Sequence, residues 1–168
     1  YYSHIPVTYN GIVSRFTYDY KSKYMLEFNV GYNGSEAFPR NKRFAWFPAY
    51  SAGWNITEEN FINELINPDI LSKLKLRASH GIVGNDGTGD RFLYYDGEYK
   101  GGGGAMFGDL TQQFRTGFLE GKLGNNNITW ETASKQNIGI ELALFNNQFI
   151  LNADLFQSDR TNILMVSN

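Results

Sequence analysis

The stretch Tyr24-Met25-Leu26-Glu27-Phe28-Asn29-Val30-Gly31-Tyr32-Asn33 decides how this 168-residue chain folds. Successive side chains of a strand point to opposite faces, so Tyr24, Leu26, Phe28, Val30 and Tyr32 share one side and Met25, Glu27, Asn29, Gly31 and Asn33 the other. Residues 12–19, 44–56, 74–83, 132–144 and 149–158 sort by the same rule. Within these runs Arg15, Asp19, Glu27, Lys75, Arg77, Lys135, Glu141 and Asp154 all fall opposite apolar stripes. Those stripes include Leu74, Leu76 and Ala78 in one run, Ile138, Ile140, Leu142 and Leu144 in another, and Leu151 and Leu155 in the last. The pattern predicts a sheet with one charge-free greasy face and one wet face.

Composition narrows what such a sheet can be. Cysteine is absent, which excludes disulfides, thiolate metal sites and a cysteine nucleophile. Aromatic residues make up 16%, with 11 Tyr and 13 Phe, although the mean hydropathy is only −0.40. No apolar run approaches the roughly 18 residues of a membrane helix. An alternating strand, however, hides membrane character from a hydropathy average because every second residue is polar. The net charge of −2 and the scattered Lys and Arg residues argue against a nucleic-acid partner. The opening Tyr1-Tyr2-Ser3-His4 has neither a basic n-region nor an apolar h-region, so residue 1 is not expected to be the natural start.

The connections alternate in character. Tyr20-Lys21-Ser22-Lys23 is a tight link, as is the turn around Asn146 and Asn147. Between residues 56 and 74, Thr57 reads as an N-cap, with Glu58 and Glu59 in the first turn, Phe61, Ile62 and Leu65 on one helical face, and Pro68 as the stop. Residues 34–43 and 84–127 read instead as long polar loops, the second carrying Gly101 to Gly104. Pro48 fits its strand only where pairing is weak. Short turns at one end and long loops at the other are the habit of outer-membrane barrels. The runs, about eight to thirteen residues, reach the ~9–11 needed to cross a bilayer obliquely. Tyr18, Tyr20, Tyr24, Phe44 and Trp46 cluster at strand ends like an interfacial girdle.

A soluble β-sandwich also alternates apolar-in and polar-out. Two details favour the membrane. A charge on the lipid face would cost about 2–4 kcal/mol for Arg or Lys at the midplane, and none occurs over six runs. The runs also exceed the globular mode of roughly five to six residues. Six strands are too few to close a membrane barrel, for which about eight are needed, so the expectation is a piece of a larger one.

Several segments resemble one family. They are Tyr18-Asp19-Tyr20-Lys21-Ser22-Lys23-Tyr24, Phe47-Pro48-Ala49-Tyr50-Ser51-Ala52-Gly53-Trp54, Leu74-Lys75-Leu76-Arg77-Ala78-Ser79-His80-Gly81 with Gly84-Asn85, and Ile128-Thr129-Trp130-Glu131 leading to Asn137-Ile138-Gly139. In this order, over residues 11–164, they resemble the SusC/RagA family of TonB-dependent outer-membrane transporters. The resemblance implies an all-β fold, with residues 1–168 forming part of one receptor barrel domain, a section of an about 22-stranded transmembrane antiparallel β-barrel. Signal peptide, TonB box and plug would lie outside this section. It implies the outer membrane of a Gram-negative bacterium and import of oligosaccharides or peptides. The implied partners are a SusD-like surface lipoprotein, TonB acting through the absent N-terminal region, membrane lipid and lipopolysaccharide. His80 departs from a usual aromatic of the family, and residues 84–127 are too variable to align.

On this reading Leu26, Phe28, Val30, Trp54 and Leu76 face lipid, as do Ile138, Ile140, Leu142, Leu151 and Leu155. Arg15, Glu27, Lys75, Arg77, Lys135, Glu141 and Asp154 face the lumen. No catalytic arrangement is expected. His4 and His80 are the only histidines, and the register gives His80 an outward, aromatic-like place rather than that of a general base. Asn85, Asp86 and Asp90 have the oxygen-rich look of a calcium loop without the spacing or closing Glu of an EF-hand; a solvated turn competes with calcium there. The glycine run lacks the Lys-Ser or Lys-Thr of a phosphate loop. Arg91, Tyr94, Tyr95 and Tyr99 could meet a sugar ring or a peptide carbonyl, against the plainer reading of loop packing. No cofactor is required. The competing functions are a soluble β-rich adhesin or ligand-binding module, and a barrel enzyme dependent on His80 or a nearby Ser.

Overall fold

The computed structural model describes residues 6–67, 69–87, 92–95, 99–108, 113–121 and 123–165. Six long strands form one antiparallel sheet in the order β1 (Tyr9–Tyr20), β2 (Tyr24–Ser35), β3 (Phe44–Asn55), β4 (Leu71–Asn85), β7 (Glu131–Leu144) and β8 (Phe149–Thr161). Between β4 and β7 the chain leaves the sheet and makes a separate hairpin, β5 (Tyr99–Phe107) with β6 (Gln113–Glu120). The expectation of an irregular segment over residues 84–127 is corrected by this hairpin. Its strands are masked in the sequence by Gly101 to Gly104, which favour strands poorly; their register slips between Gly101 and Gly104, and Gly103 takes a positive φ of 64°.

The tight links follow from local chemistry. Lys21 and Ser22 both adopt positive φ, the geometry whose twist suits a two-strand link, and the Ser22 N–H donates to Asp19 Oδ1 at 2.9 Å. Asn146 and Asn147 tolerate the same left-handed region between β7 and β8. Pro48 pairs with Val30 of β2, while the pairing of β3 with β4 begins only at Ala49 and Gly81. The missing proline N–H therefore falls where no ladder bond is needed.

The connector between β3 and β4 differs from the capped helix its sequence suggests. Residues Ile56–Glu58 form a 3₁₀ turn, and the helix α1 is confined to Asn60–Leu65 with Glu59 at its N-cap. Thr57 caps nothing, because its hydroxyl is engaged across the strand ends, bonding Asn55 Oδ1 at 2.9 Å and accepting the Leu74 N–H at 3.4 Å. Glu59 serves as a clamp: its carboxylate accepts from the Tyr24 hydroxyl at 2.6 Å, the Trp54 indole at 3.3 Å and Lys23 Nζ at 3.4 Å. Pro68 lies outside the described residues.

Among the described residues, the sheet itself has no hydrophobic core. Apart from Ala143, the buried apolar side chains are Phe38, Ile128 and Trp130, drawn from two loops at the end of the sheet away from the tight turns. Trp130 sits 5.1 Å from Phe38 and 5.1 Å edge-on to Phe47, and its indole N–H donates to the Arg43 carbonyl at 3.1 Å. Phe47 and Ala45, which join this cluster, share the register of Glu27 and Asn29, so the loops fold over the polar face. Gly84 makes room: a Cβ there would collide with the Phe47 ring.

Two outcomes follow. Trp130→Ala removes both ring contacts and a hydrogen bond, a loss of the ~3–5 kcal/mol typical of a buried Trp truncation. Hydrogen exchange on the full-length protein should show protection at the Ser35 and Asn125 amides falling by roughly two to four orders of magnitude, with β8 unchanged. For Glu59, the Tyr24 hydrogen bond first, then those of Trp54 and Lys23, hold the carboxyl below the usual glutamate range, with burial opposing. Its folded-state value being lowered, the stabilisation is complete above the ordinary value of about 4.3 and is lost as pH falls through the lowered one. Exchange protection over residues 56–66, corrected for intrinsic rates, should show that acid step in the native protein and lack it in Glu59→Gln.

Candidate functional site

The register gathers every residue expected to face lipid on one side of the sheet. Phe28 lies opposite Phe16 and Tyr50, Leu26 opposite Ala52, Trp54 opposite Leu76, and Ile138 opposite Leu155. Ile140 pairs with Leu76 and Ala153, Leu142 with Leu74 and Leu151, and Val30 with Pro48. Leu155 is 76% exposed and Ile138 64%, with no described protein layer over them. A soluble sandwich would cover these side chains with a second sheet; here they stand open. His80 belongs to this side too. Its ring lies 5.1 Å from that of Tyr50, and Nε2 is 3.2 Å from the Ser134 hydroxyl; among the described residues Nδ1 has no hydrogen-bond partner, so no acid completes a triad with this pair.

One expectation about this face needs correction. The charge-free register extends only as far as residue 158, but β8 continues to Thr161, and Asp159 lies opposite Ser134 in the outward register. Asp159 accepts a hydrogen bond from Gln157 at 2.9 Å. The charge was missed because the strand was read three residues too short.

The opposite face carries a ladder of charges. Arg15 donates to Asn29 at 2.9 Å and lies 3.4 Å from Glu27; Lys73 reaches Glu141 at 2.7 Å. Arg77 of β4 reaches across β7 to hold both oxygens of Asp154 on β8, at 2.8 and 2.7 Å. Gly139 makes that span possible, since a Cβ would press on both the guanidinium and the carboxylate, at 2.5 and 2.6 Å. The pairs are solvent-exposed, so each contributes little stability, but together they keep a hydrated wall. Lys75 and Lys135 share this face, Lys75 abreast of Glu141 and Lys135 abreast of Gly81.

The loops at the end of the sheet away from the tight turns hold the tyrosines that the sequence suggests for ligand contact. Tyr94 packs against the Phe38, Ile128 and Trp130 cluster, whereas Tyr95 and Tyr99 are 72% and 67% exposed. Arg91 and Asp90 lie outside the described residues. Asn85 is engaged locally: its Oδ1 accepts the Gly87 N–H at 3.1 Å and its amide donates to Glu131 at 3.2 Å. Asp86 meets the Tyr9 hydroxyl. Among the described residues no three His, Cys, Asp or Glu side chains converge as a metal site would require. The β5–β6 hairpin adds an exposed apolar face with Met106 opposite Phe114 and with Phe118, which the glycine-rich sequence gave no periodic signal to find.

Comparison with known proteins agrees with this geometry. The family described as TonB dependent receptor-like, beta-barrel, matches residues 1–168. TonB-dependent receptor P39 of Formosa agariphila is 34% identical over 158 residues, covering 92% of this chain and 14% of the relative. TonB-dependent receptor SusC of Bacteroides thetaiotaomicron is 32% identical over 149 residues, covering 84% of this chain and 14% of that protein. Among solved structures, the RagAB peptide importer in its closed-closed state superposes with a TM-score of 0.73 at 25% identity, over 92% of this chain and 16% of that one. The chain thus spans about one seventh of the length of the relatives it matches. These relatives are receptors and transporters rather than enzymes. With one face built for hydrocarbon, one for water and loops gathered at one end, this chain belongs to the TonB-dependent receptor β-barrel family, and it is a section of an outer-membrane barrel of the SusC and RagA kind.

Proposed function

We propose that this section supplies barrel wall and outward loops to a TonB-dependent importer of oligosaccharides or peptides. The observation that carries this reading is the loop cluster of Phe38, Ile128 and Trp130, which fastens the outward loops over the hydrated face of the sheet. Loops held in that position border the path into the lumen, and aromatic side chains left exposed on them suit a sugar ring or a peptide. Support for the peptide class comes from relatives: the solved RagAB complexes are named as a peptide transporter and importer. The section itself carries out no reaction. Its wall gives a rigid, water-lined enclosure, while Tyr95, Tyr99 and the neighbouring Arg91 contact the cargo or a lid.

The partner proposed for the loops is a SusD-like surface lipoprotein. Energy would arrive through TonB acting on a plug in another part of the protein. Neither role needs a cofactor from these residues.

The test uses the full-length transporter in membrane vesicles, offered a pool of short peptides and, separately, a pool of oligosaccharides. One pool should bind saturably, and the double variant Tyr95→Ala with Tyr99→Ala should weaken that binding about tenfold, as two aromatic contacts of ~0.5–1.5 kcal/mol would dictate. Unchanged binding in the variant would remove these tyrosines from the contact surface. Failure of both pools to bind would overturn the import assignment.

A further inference from the structure

The outward face of the sheet is not a horizontal apolar band. Phe28, Tyr50, His80, Gln136 and Gln157 lie abreast on β2, β3, β4, β7 and β8. Above this level β2 continues with Val30 and Tyr32, whereas β8 continues with Asp159 and Thr161 and β7 with Ser134 and Thr132. The apolar surface thus ends higher on β2 than on β8.

The lower edge falls the same way. Tyr24, at the start of β2, lies abreast of Trp54, Leu76, Ile140 and Ala153. On β8 the strand then runs on through Leu151 to Phe149, four residues beyond Ala153 and four strand steps away from β2. That is about one residue per step, a rise of ~3.4 Å across ~4.8 Å. The slope corresponds to a tilt of roughly 35°, within the range at which barrel strands lean from the axis. Projected on the axis, the apolar stretch is about 22 Å tall on β2 and about 17 Å on β8, near the ~25 Å of an outer-membrane apolar band. Two edges set by unrelated sequence features, turns below and polar side chains above, descend in the same direction.

We infer that the outer boundary of the hydrocarbon crosses this sheet obliquely, above Tyr32 on β2 but between Leu155 and Gln157 on β8. Ser134, Gln136, Gln157 and Asp159 then form a hydrogen-bonding patch for the sugar-phosphate headgroups of the outer leaflet. This rests on the outer-membrane placement. The chemistry fits the layer. Amides and a hydroxyl both donate and accept, as sugar hydroxyls and phosphates require, and Asp159 is already partnered by Gln157. Near the interface a charge costs only about 0–1 kcal/mol, against several at the midplane. His80, stacked on Tyr50 and bonded to Ser134, marks where apolar gives way to polar.

The chain contains no cysteine, so nitroxide labels placed in it meet no background from its own residues, and any cysteine elsewhere in the full-length protein is first replaced by Ser. Full-length protein carrying Val30→Cys, Leu155→Cys, Gln157→Cys or Ser134→Cys is placed in vesicles of phosphatidylethanolamine with lipopolysaccharide. Collisions with oxygen and with a water-soluble nickel chelate are then compared. Positions 30 and 155 should favour oxygen, and positions 157 and 134 should favour the chelate by severalfold, although Leu155 and Gln157 are only two residues apart. Gln136→Cys gives the same reading should a variant fail to insert. Gln157 matching Leu155 would overturn the oblique boundary, and shielding of Gln157 from both reagents would assign the patch to a protein neighbour instead. Chelate access at Val30 and Leu155 as well would overturn the membrane placement, and the inference with it.

Discussion

Hydrocarbon offers no hydrogen-bond partner, so each backbone N–H and C=O of a lipid-exposed strand must be met by the strand beside it. Everything regular in this sheet follows from that. Consecutive pairings run nearly the full length of β1 with β2 and of β7 with β8. The single proline within a strand stands at the position where the β3–β4 ladder has stopped. The tight links close without wasting ladder positions, even where Lys21 and Ser22 must take an unusual left-handed backbone to do so. β1 and β8 each have one neighbour here, edges that further strands of a closed barrel pair.

A sheet between two solvents needs no core of its own, and this one has none among the described residues. Its outward side chains carry no described protein layer, and its inward charges pair with one another across the strands. The Arg77 to Asp154 bond over Gly139 shows the inward logic in small: one position gives up its side chain so that charges two strands apart can meet. The place where protein does bury protein is the loop end, and Trp130 is its centre.

Alternation made the six long strands, their faces and their order readable, because period-two patterning is a local property of sequence. Leu26, Glu27, Leu76, Arg77, Ile140 and Glu141 all lie on the faces that their positions imply. What failed to show was non-local or glycine-hidden. Thr57 has the sequence of a helix cap, yet its hydroxyl is claimed by Asn55 and Leu74, a partner seventeen residues away. The β5–β6 hairpin lacks a strand signal because glycines hold its bulge. Trp130 stands in a recognisable motif, but its burial depends on Phe38 and Phe47, which no spacing connects to it.

That shared loop core constrains how its two segments can be exchanged between relatives. Phe38 comes from the loop after β2, and Ile128 and Trp130 come from the segment leading into β7, with Lys42 tied to Asn127 at 3.2 Å. Each loop supplies part of the other's packing. Grafting one of them alone from a relative would leave a half-filled socket, so exchange of these loops by recombination has to carry both segments as a single cassette.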